Sequence, residues 1–299
     1  MKIHRTSLSK RGFTLLELMV AMAITSIIVT VLVSITSIAI DTWNRSRSEL
    51  RAARQAKAFV DTMARDFESL VTRRGNDSEW LSAASEPPAL SSNAATLVFF
   101  SAATDRYNGE IGKTGVDLGG DVSCVGYKLE RKDPIEGGAT GEFQTFVLNR
   151  YLVDPKPTFE KLLGKTEIGN LFTTTYGTQL SEEENFICEN VFQFTVTFYV
   201  EVAPATGSTS SQPDIKQISI GTAGGDKKTK FSIKGTGIAT LPADPALTAG
   251  RITSVGISLT VLSDAGIDLL RKSSSRASDA AWLAKNSYQY SKLIQVPGM

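Results

Sequence analysis

The sequence is poor in the side chains on which most enzymes depend. Among its 299 residues it has one histidine, His4, and two cysteines, Cys124 and Cys188. A single histidine close to the N-terminus removes the histidine-based catalytic triads and the histidine-rich zinc sites. Two cysteines are too few for a thiolate metal site and allow one disulfide at most. Acidic residues are plentiful, but no recognisable spacing sets two of them as an acid–base pair. The expectation is a protein that is not an enzyme, has no metal site and needs no cofactor. A charge excess is also lacking, with 32 basic against 31 acidic side chains and a formal net charge of +1. Nucleic-acid binding calls for a clustered basic excess, so no nucleic acid is expected as a partner.

Charge is scarcest in one stretch. Between Phe13 and Ile40 there is no Lys or Arg, and the only charged side chain is Glu17. The 23 residues from Leu18 to Ile40 are apolar apart from Thr25, Ser26, Thr30, Ser34, Thr36 and Ser37. About 20 such residues span a bilayer as a helix. Ahead of them stand Lys2, His4, Arg5, Lys10 and Arg11, with no acidic residue among them. That bias holds the N-terminus in the cytoplasm and sends the rest across the membrane. Membrane lipid is therefore an expected partner. A plain signal peptide has no use for a carboxylate at Glu17, which in lipid is costly and calls for a partner.

The string Arg11-Gly12-Phe13-Thr14-Leu15-Leu16-Glu17 resembles the class III leader of type IV prepilins and pseudopilins. The resemblance implies cleavage between Gly12 and Phe13 by a prepilin peptidase, followed by N-methylation of Phe13. It also implies that Glu17, the fifth mature residue, meets the Phe13 amine of a neighbouring subunit. Opposite charges attract strongly where the dielectric is low, and an unpaired one is expensive there. Removal of residues 1–12 leaves 28 basic and 31 acidic side chains. Shorter pieces resemble J-type minor pseudopilins of type II secretion: Tyr127-Lys128-Leu129 with Leu148-Asn149-Arg150, and Asn190-Val191 before a long strand. The chain is also similar to prepilin-like proteins of Verrucomicrobia-type bacteria.

The expected fold class is α+β and pilin-like, a long N-terminal transmembrane helix packed on an antiparallel β-sheet. Residues 1–12 are read as a cleaved basic leader and 13–40 as the membrane helix. Residues 41–74 are its amphipathic continuation, and 75–299 an extracytoplasmic β-rich body. In the continuation, Leu50, Ala53, Ala56, Val60, Met63, Phe67, Leu70 and Val71 recur at helical spacing, and Gly75, Asn76 and Asp77 end the run. Phe59, Met63 and Phe67 are expected to bury against the strand at Phe192–Val202, whose strict alternation gives one apolar face. Residues 76–95 read as a loop. Strands are expected at Ala95–Ser101, Val122–Lys132, Glu142–Val153 and Ile252–Leu262, the last being the final core strand. Ile215–Ile220 and Lys230–Lys234 read as edge strands, guarded by Lys227, Lys228 and Lys230. A Gly-rich loop at 105–120 carries Asp105, Asn108 and Asp117, oxygen ligands without the spacing of a helix–loop–helix calcium site.

Cys124 and Cys188 leave two alternatives open. In an oxidising compartment they form one disulfide, closing a loop of about 64 residues and stabilising by about 2–4 kcal/mol; otherwise they are buried free thiols. The functional expectation is a minor pseudopilin or pilin-like subunit that initiates or caps a type II secretion or type IV pilus-like filament. The alternatives are a surface-displayed adhesive or ligand-binding tip, or a membrane-anchored binding module outside any filament. The resemblance implies other pseudopilins or pilins as partners, with an inner-membrane assembly platform and its cytoplasmic ATPase. The expected location is the inner membrane, crossed once, with the body in the periplasm.

Overall fold

A computed structural model describes residues 14–102, 121–135, 141–204, 213–221 and 227–297. The loop expected at 105–120 lies outside the described residues, apart from Asp121 that follows it. The chain divides into two units, Met1–Glu49 and Leu50–Met299. Helix α1 runs over Leu15–Glu68.

Within the first unit, α1 presents its apolar side chains outward. Leu18 is 56 %, Ile28 54 % and Ile38 66 % exposed, so this part of the helix has no core of its own. It is long and apolar enough to cross a membrane. The hydroxyls that dilute it turn inward: Thr25, Ser26, Thr30, Ser34 and Thr36 each donate to the carbonyl four residues earlier, at 2.7–3.0 Å. These five hydroxyls are thus satisfied inside the helix, as a lipid environment demands.

The second unit starts with the rest of α1 and continues through β1 (Glu79–Ser85), β2 (Ala95–Ser101), β3 (Ser123–Lys132) and β4 (Thr145–Val153). There follow a single turn α2 (Pro155–Pro157), α3 (Ile168–Leu180), β5 (Phe186–Glu189), β6 (Val191–Val202), β7 (Asp214–Ile220), β8 (Lys227–Lys228), β9 (Lys230–Lys234) and β10 (Gly237–Leu241). The chain closes with β11 (Arg251–Leu262), α4 (Asp264–Lys272), α5 (Ala280–Asn286) and β12 (Ser287–Gln295). The strands form two sheets. One has seven strands in the order β10-β9-β1-β2-β3-β4-β5, the other five in the order β12-β11-β6-β7-β8. Every pairing is antiparallel except the short β7–β8 contact.

One core lies between them. From α1 it takes Ala52, Ala56, Phe59, Met63 and Phe67, and from β6 Phe192, Phe194, Val196, Phe198 and Val200. Phe59 meets Phe194 edge to face at 5.7 Å and Tyr127 of β3 at 5.8 Å, touching both sheets. A second core lies on the other face of the seven-stranded sheet, where α3 lays Ile168, Phe172, Tyr176 and Leu180 over Trp80, Phe100 and Cys124. Close approach there requires Gly126, because a Cβ would stand 2.3 Å from the Phe172 ring.

The α+β class and the helix-on-sheet packing hold, with several corrections in detail. The body has two sheets rather than one. Phe67 stacks on Phe99 of β2 at 4.5 Å instead of on the β6 face. α1 ends at Glu68, before the Gly75 stop signal, because Leu70 leaves the helix to bridge Ser101 and Val71 donates to the Phe100 carbonyl. Part of the expected 76–95 loop is β1, an interior strand. β9 is also interior, with Phe231 and Ile233 buried, so its lysines guard no edge. β11 is followed by β12, which covers one of its sides.

The cysteine bridge is not made: Cys124 and Cys188 are both free and buried. Cys124 faces α3 and Cys188 faces the central core. β4 stands between their strands, and two strand spacings are about 10 Å, beyond the roughly 7 Å Cα limit for a disulfide. Burial pushes both thiols up, Cys188 to about 12.

Candidate functional site

The processing and assembly residues were expected at Gly12, Phe13 and Glu17. Gly12 and Phe13 lie outside the described residues. Glu17 sits in the first turn of α1, and Thr14 directly precedes the helix. The Glu17 carboxylate Oε2 accepts from the Thr14 backbone N–H at 2.9 Å and from its hydroxyl at 3.0 Å. In return the Glu17 N–H donates to the Thr14 hydroxyl oxygen at 3.2 Å. This reciprocal Thr-x-x-Glu arrangement is a capping box, which satisfies donors that a helix start otherwise leaves open. It also places an anion at the positive end of the helix dipole. The motif was readable at Thr14–Glu17, and the sequence reading missed it by taking Glu17 only as a partner for another chain.

The geometry sets two properties side by side: a carboxylate fixed by its own helix, and directly after it an apolar surface with no cover. Residues 8–33 match the family model for the prokaryotic N-terminal methylation motif. The N-terminus is that of a type IV prepilin-like protein. No curated protein and no solved structure matches the chain. The motif family is structural rather than catalytic. Its leader implies processing by a prepilin peptidase and partners of the pilin type, and the apolar helix fits a membrane anchor.

A buried ionic cluster lies where the second half of α1 meets the seven-stranded sheet. Arg150 of β4 grips Asp66 of α1 with two parallel bonds, Nε to Oδ2 and Nη2 to Oδ1, both 2.8 Å. The Tyr127 hydroxyl of β3 donates to Asp66 Oδ2 and accepts from Arg150 Nε at 3.1 Å. The side chains of Arg150 and Asp66 are only 12 % and 5 % exposed. Burial is the largest single influence and works against the Arg150 charge, but the hydrogen bonds and charges of Asp66 and Tyr127 together outweigh it, and the net shift is upward. Burial and the neighbouring Asp66 charge push the Tyr127 phenol well above its ordinary value. The cluster ties α1 to β3 and β4 through one buried carboxylate; it is a fastening.

The apolar stripe expected along this part of α1 leaves out Asp66. The signal against that was its spacing: it lies seven residues after Phe59 and three after Met63, on the buried face. Tyr127 and Arg150 were singled out as strand pieces, without their joint partner. Among the described residues no group of three His, Cys, Asp or Glu is placed to hold a metal ion.

Proposed function

We propose that the chain is a minor pilin or pseudopilin, a structural subunit that initiates or caps a type II secretion or type IV pilus-like filament. Cleavage after Gly12 exposes Phe13, whose methylated amine stays charged. Glu17 pairs with that amine on a neighbouring subunit, exchanging its hold on Thr14 for the intermolecular contact. The uncovered apolar face of α1 first sits in the inner membrane and then packs among other helices of its kind, while the body stands in the periplasm. The observation that carries the reading is the methylation motif at 8–33, in register with a capped helix whose apolar side chains are exposed among the described residues. The minor rather than major role rests on bulk. A body of two sheets and two added helical layers is large for a subunit repeated at every step of a filament.

The test is the processed protein and its stoichiometry. Mass spectrometry of membranes carrying the peptidase is expected to find an N-terminus at N-methyl-Phe13. Quantitative peptide counting on sheared filaments is expected to find this chain at a small fraction of the main subunit. Equimolar abundance along the fibre would reverse the minor assignment, and an unprocessed N-terminus would remove the reading altogether.

A further inference from the structure

The segment that leaves α1 crosses over to the β9–β10 turn, and a small cavity opens where the two meet. Its volume is about 140 Å³. Arg73, Arg74 and Lys234 line it, with the hydroxyl residues Thr236 and Thr248 and the backbone of Gly237. No acidic residue is in its wall. The three cations make no ion pair among the described residues. Glu79, the register partner of Lys234 in the β1–β9 pair, accepts through Oε2 from the Ile168 N–H at 2.7 Å, while its buried Oε1 stands 4.0 Å from Lys230 and accepts no hydrogen bond among the described residues.

The walls are held by backbone. The Gly75 N–H donates to the Gly235 carbonyl at 3.0 Å, the Gly235 N–H to Ser78 at 3.0 Å, and the Ile238 N–H to Thr248 at 3.1 Å. Gly237 takes a φ of +132°, and a Cβ there would lie 2.1 Å from the Thr248 carbonyl oxygen, so only glycine lets the turn close over the cavity. Three cationic residues stand on the wall of one small cavity, Arg73 and Arg74 exposed to solvent, and like charges brought together suit a ligand of opposite sign. The volume is well below the roughly 300 Å³ at which pockets for whole organic ligands begin. A cavity of that volume suits one compact anionic group. Two guanidinium groups favour an oxyanion able to take two parallel bonds, and hydroxyls beside them suit one with further oxygens.

We propose that this cavity binds a phosphate group, either free inorganic phosphate or the phosphate of a lipid headgroup. The proposal stands on the body alone and does not depend on how the subunit assembles. The experiment is calorimetric titration of the full chain in neutral detergent at low ionic strength. Three probes are used: inorganic phosphate, short-chain phosphatidylglycerol below its micelle concentration, and acetate. Saturable binding of inorganic phosphate supports the site with the free ion as ligand. Saturable binding of the short-chain lipid alone supports it with the headgroup as source. Either affinity is expected to fall about tenfold or more in each of Arg74→Gln and Lys234→Gln, since a hydrogen bond to a charged group is being lost. Lys285→Gln, on α5 and outside the cavity wall, is expected to bind like the parent chain. Acetate binding as tight as phosphate would overturn the phosphate assignment. Absence of binding by either phosphate probe, or affinity unchanged in both cavity variants with circular dichroism intact, would overturn the site.

Discussion

α1 passes through two environments in 54 residues, and its halves solve the same physical problem in opposite ways. From Leu15 to Ile40 the large apolar side chains are all exposed and every described polar contact is local. From Ala52 to Phe67 the apolar side chains are buried by the chain's own sheets. The charge there, Asp66, is matched by residues 61 and 84 positions away. A helix bound for lipid must satisfy its polar groups within itself, because nothing else is dependably there. A helix inside a folded body can leave a charge for distant strands to match. The first half is consequently independent of the fold, and the second is part of it.

The comparison breaks most visibly at Glu17. Glu17→Gln keeps a side chain able to close the capping box, since glutamine serves there as well, but removes the charge. Glu17→Ala removes both. If charge pairing with a neighbour's amine recruits the subunit, both variants are processed, folded and retained in the membrane, and neither enters the filament or tip complex. Co-purification with partner subunits measures this. Normal incorporation of Glu17→Gln beside failure of Glu17→Ala would show that the cap alone matters. In either case the melting temperature of the body is expected to stay at the parent value, because the first half of α1 supplies nothing to the core.

In the second half the expected losses are of stability. Phe67 is fully buried and stacked on Phe99, so Phe67→Ala is expected to cost about 3–5 kcal/mol by denaturant unfolding. The same truncation in the first half, Ile28→Ala, is expected to leave body unfolding unchanged. Arg150→Ala leaves the Asp66 carboxylate buried without its cation, and breaking a buried pair from one side costs about 3–5 kcal/mol. Removing Asp66 and Arg150 together is expected to cost less than the sum of the single losses, the excess being the penalty of one stranded charge. Additive losses would mean the two side chains do not face each other in the folded body.

What the sequence made legible follows the same division. The methylation motif at 8–33 and the apolar helix could be read because what marks them is local: apolar length, a basic leader, and the string from Arg11 to Glu17. Within the body, β6 could be read because it alternates strictly, buried on one face and half-exposed on the other. β1 was missed. Its residues, Glu-Trp-Leu-Ser-Ala-Ala-Ser, have weak strand preference, and it is held by β9 on one side and β2 on the other, 150 and about 15 residues away in sequence. Its burial on both faces removes the alternation that would mark it. β9 looked like a guarded edge because lysines surround it, although its two apolar residues point into the core. The cation-lined cavity joins residues 73–74 to residues 234–250, a juxtaposition made only by the fold. Long-range pairing leaves no periodic trace, so the meeting of Asp66 with Tyr127 and Arg150 was equally hidden, although its spacing set Asp66 on the buried face of α1.

The smallest expected effect lies at the surface of the same helix. Asp61 accepts from Lys292 of β12 at 2.9 Å, and both side chains are largely in solvent. That hydrogen bond holds the Asp61 carboxyl below its ordinary value. A carboxyl depressed in the folded state stabilises above its unfolded pKa, about 3.9, and the contribution is lost as pH falls through the folded value. Lys292→Ala is expected to bring the Asp61 titration, followed by NMR of its carboxyl carbon, back up toward the ordinary carboxylate range. Exposed pairs are weak and screened by salt, so the melting temperature at neutral pH should not move measurably. A clear drop in melting temperature, present at low salt and persisting at high salt, would show that β12 is fastened to α1 at this point more firmly than a surface pair allows. The buried fastening at Asp66 would then have a second, outer counterpart on the five-stranded sheet.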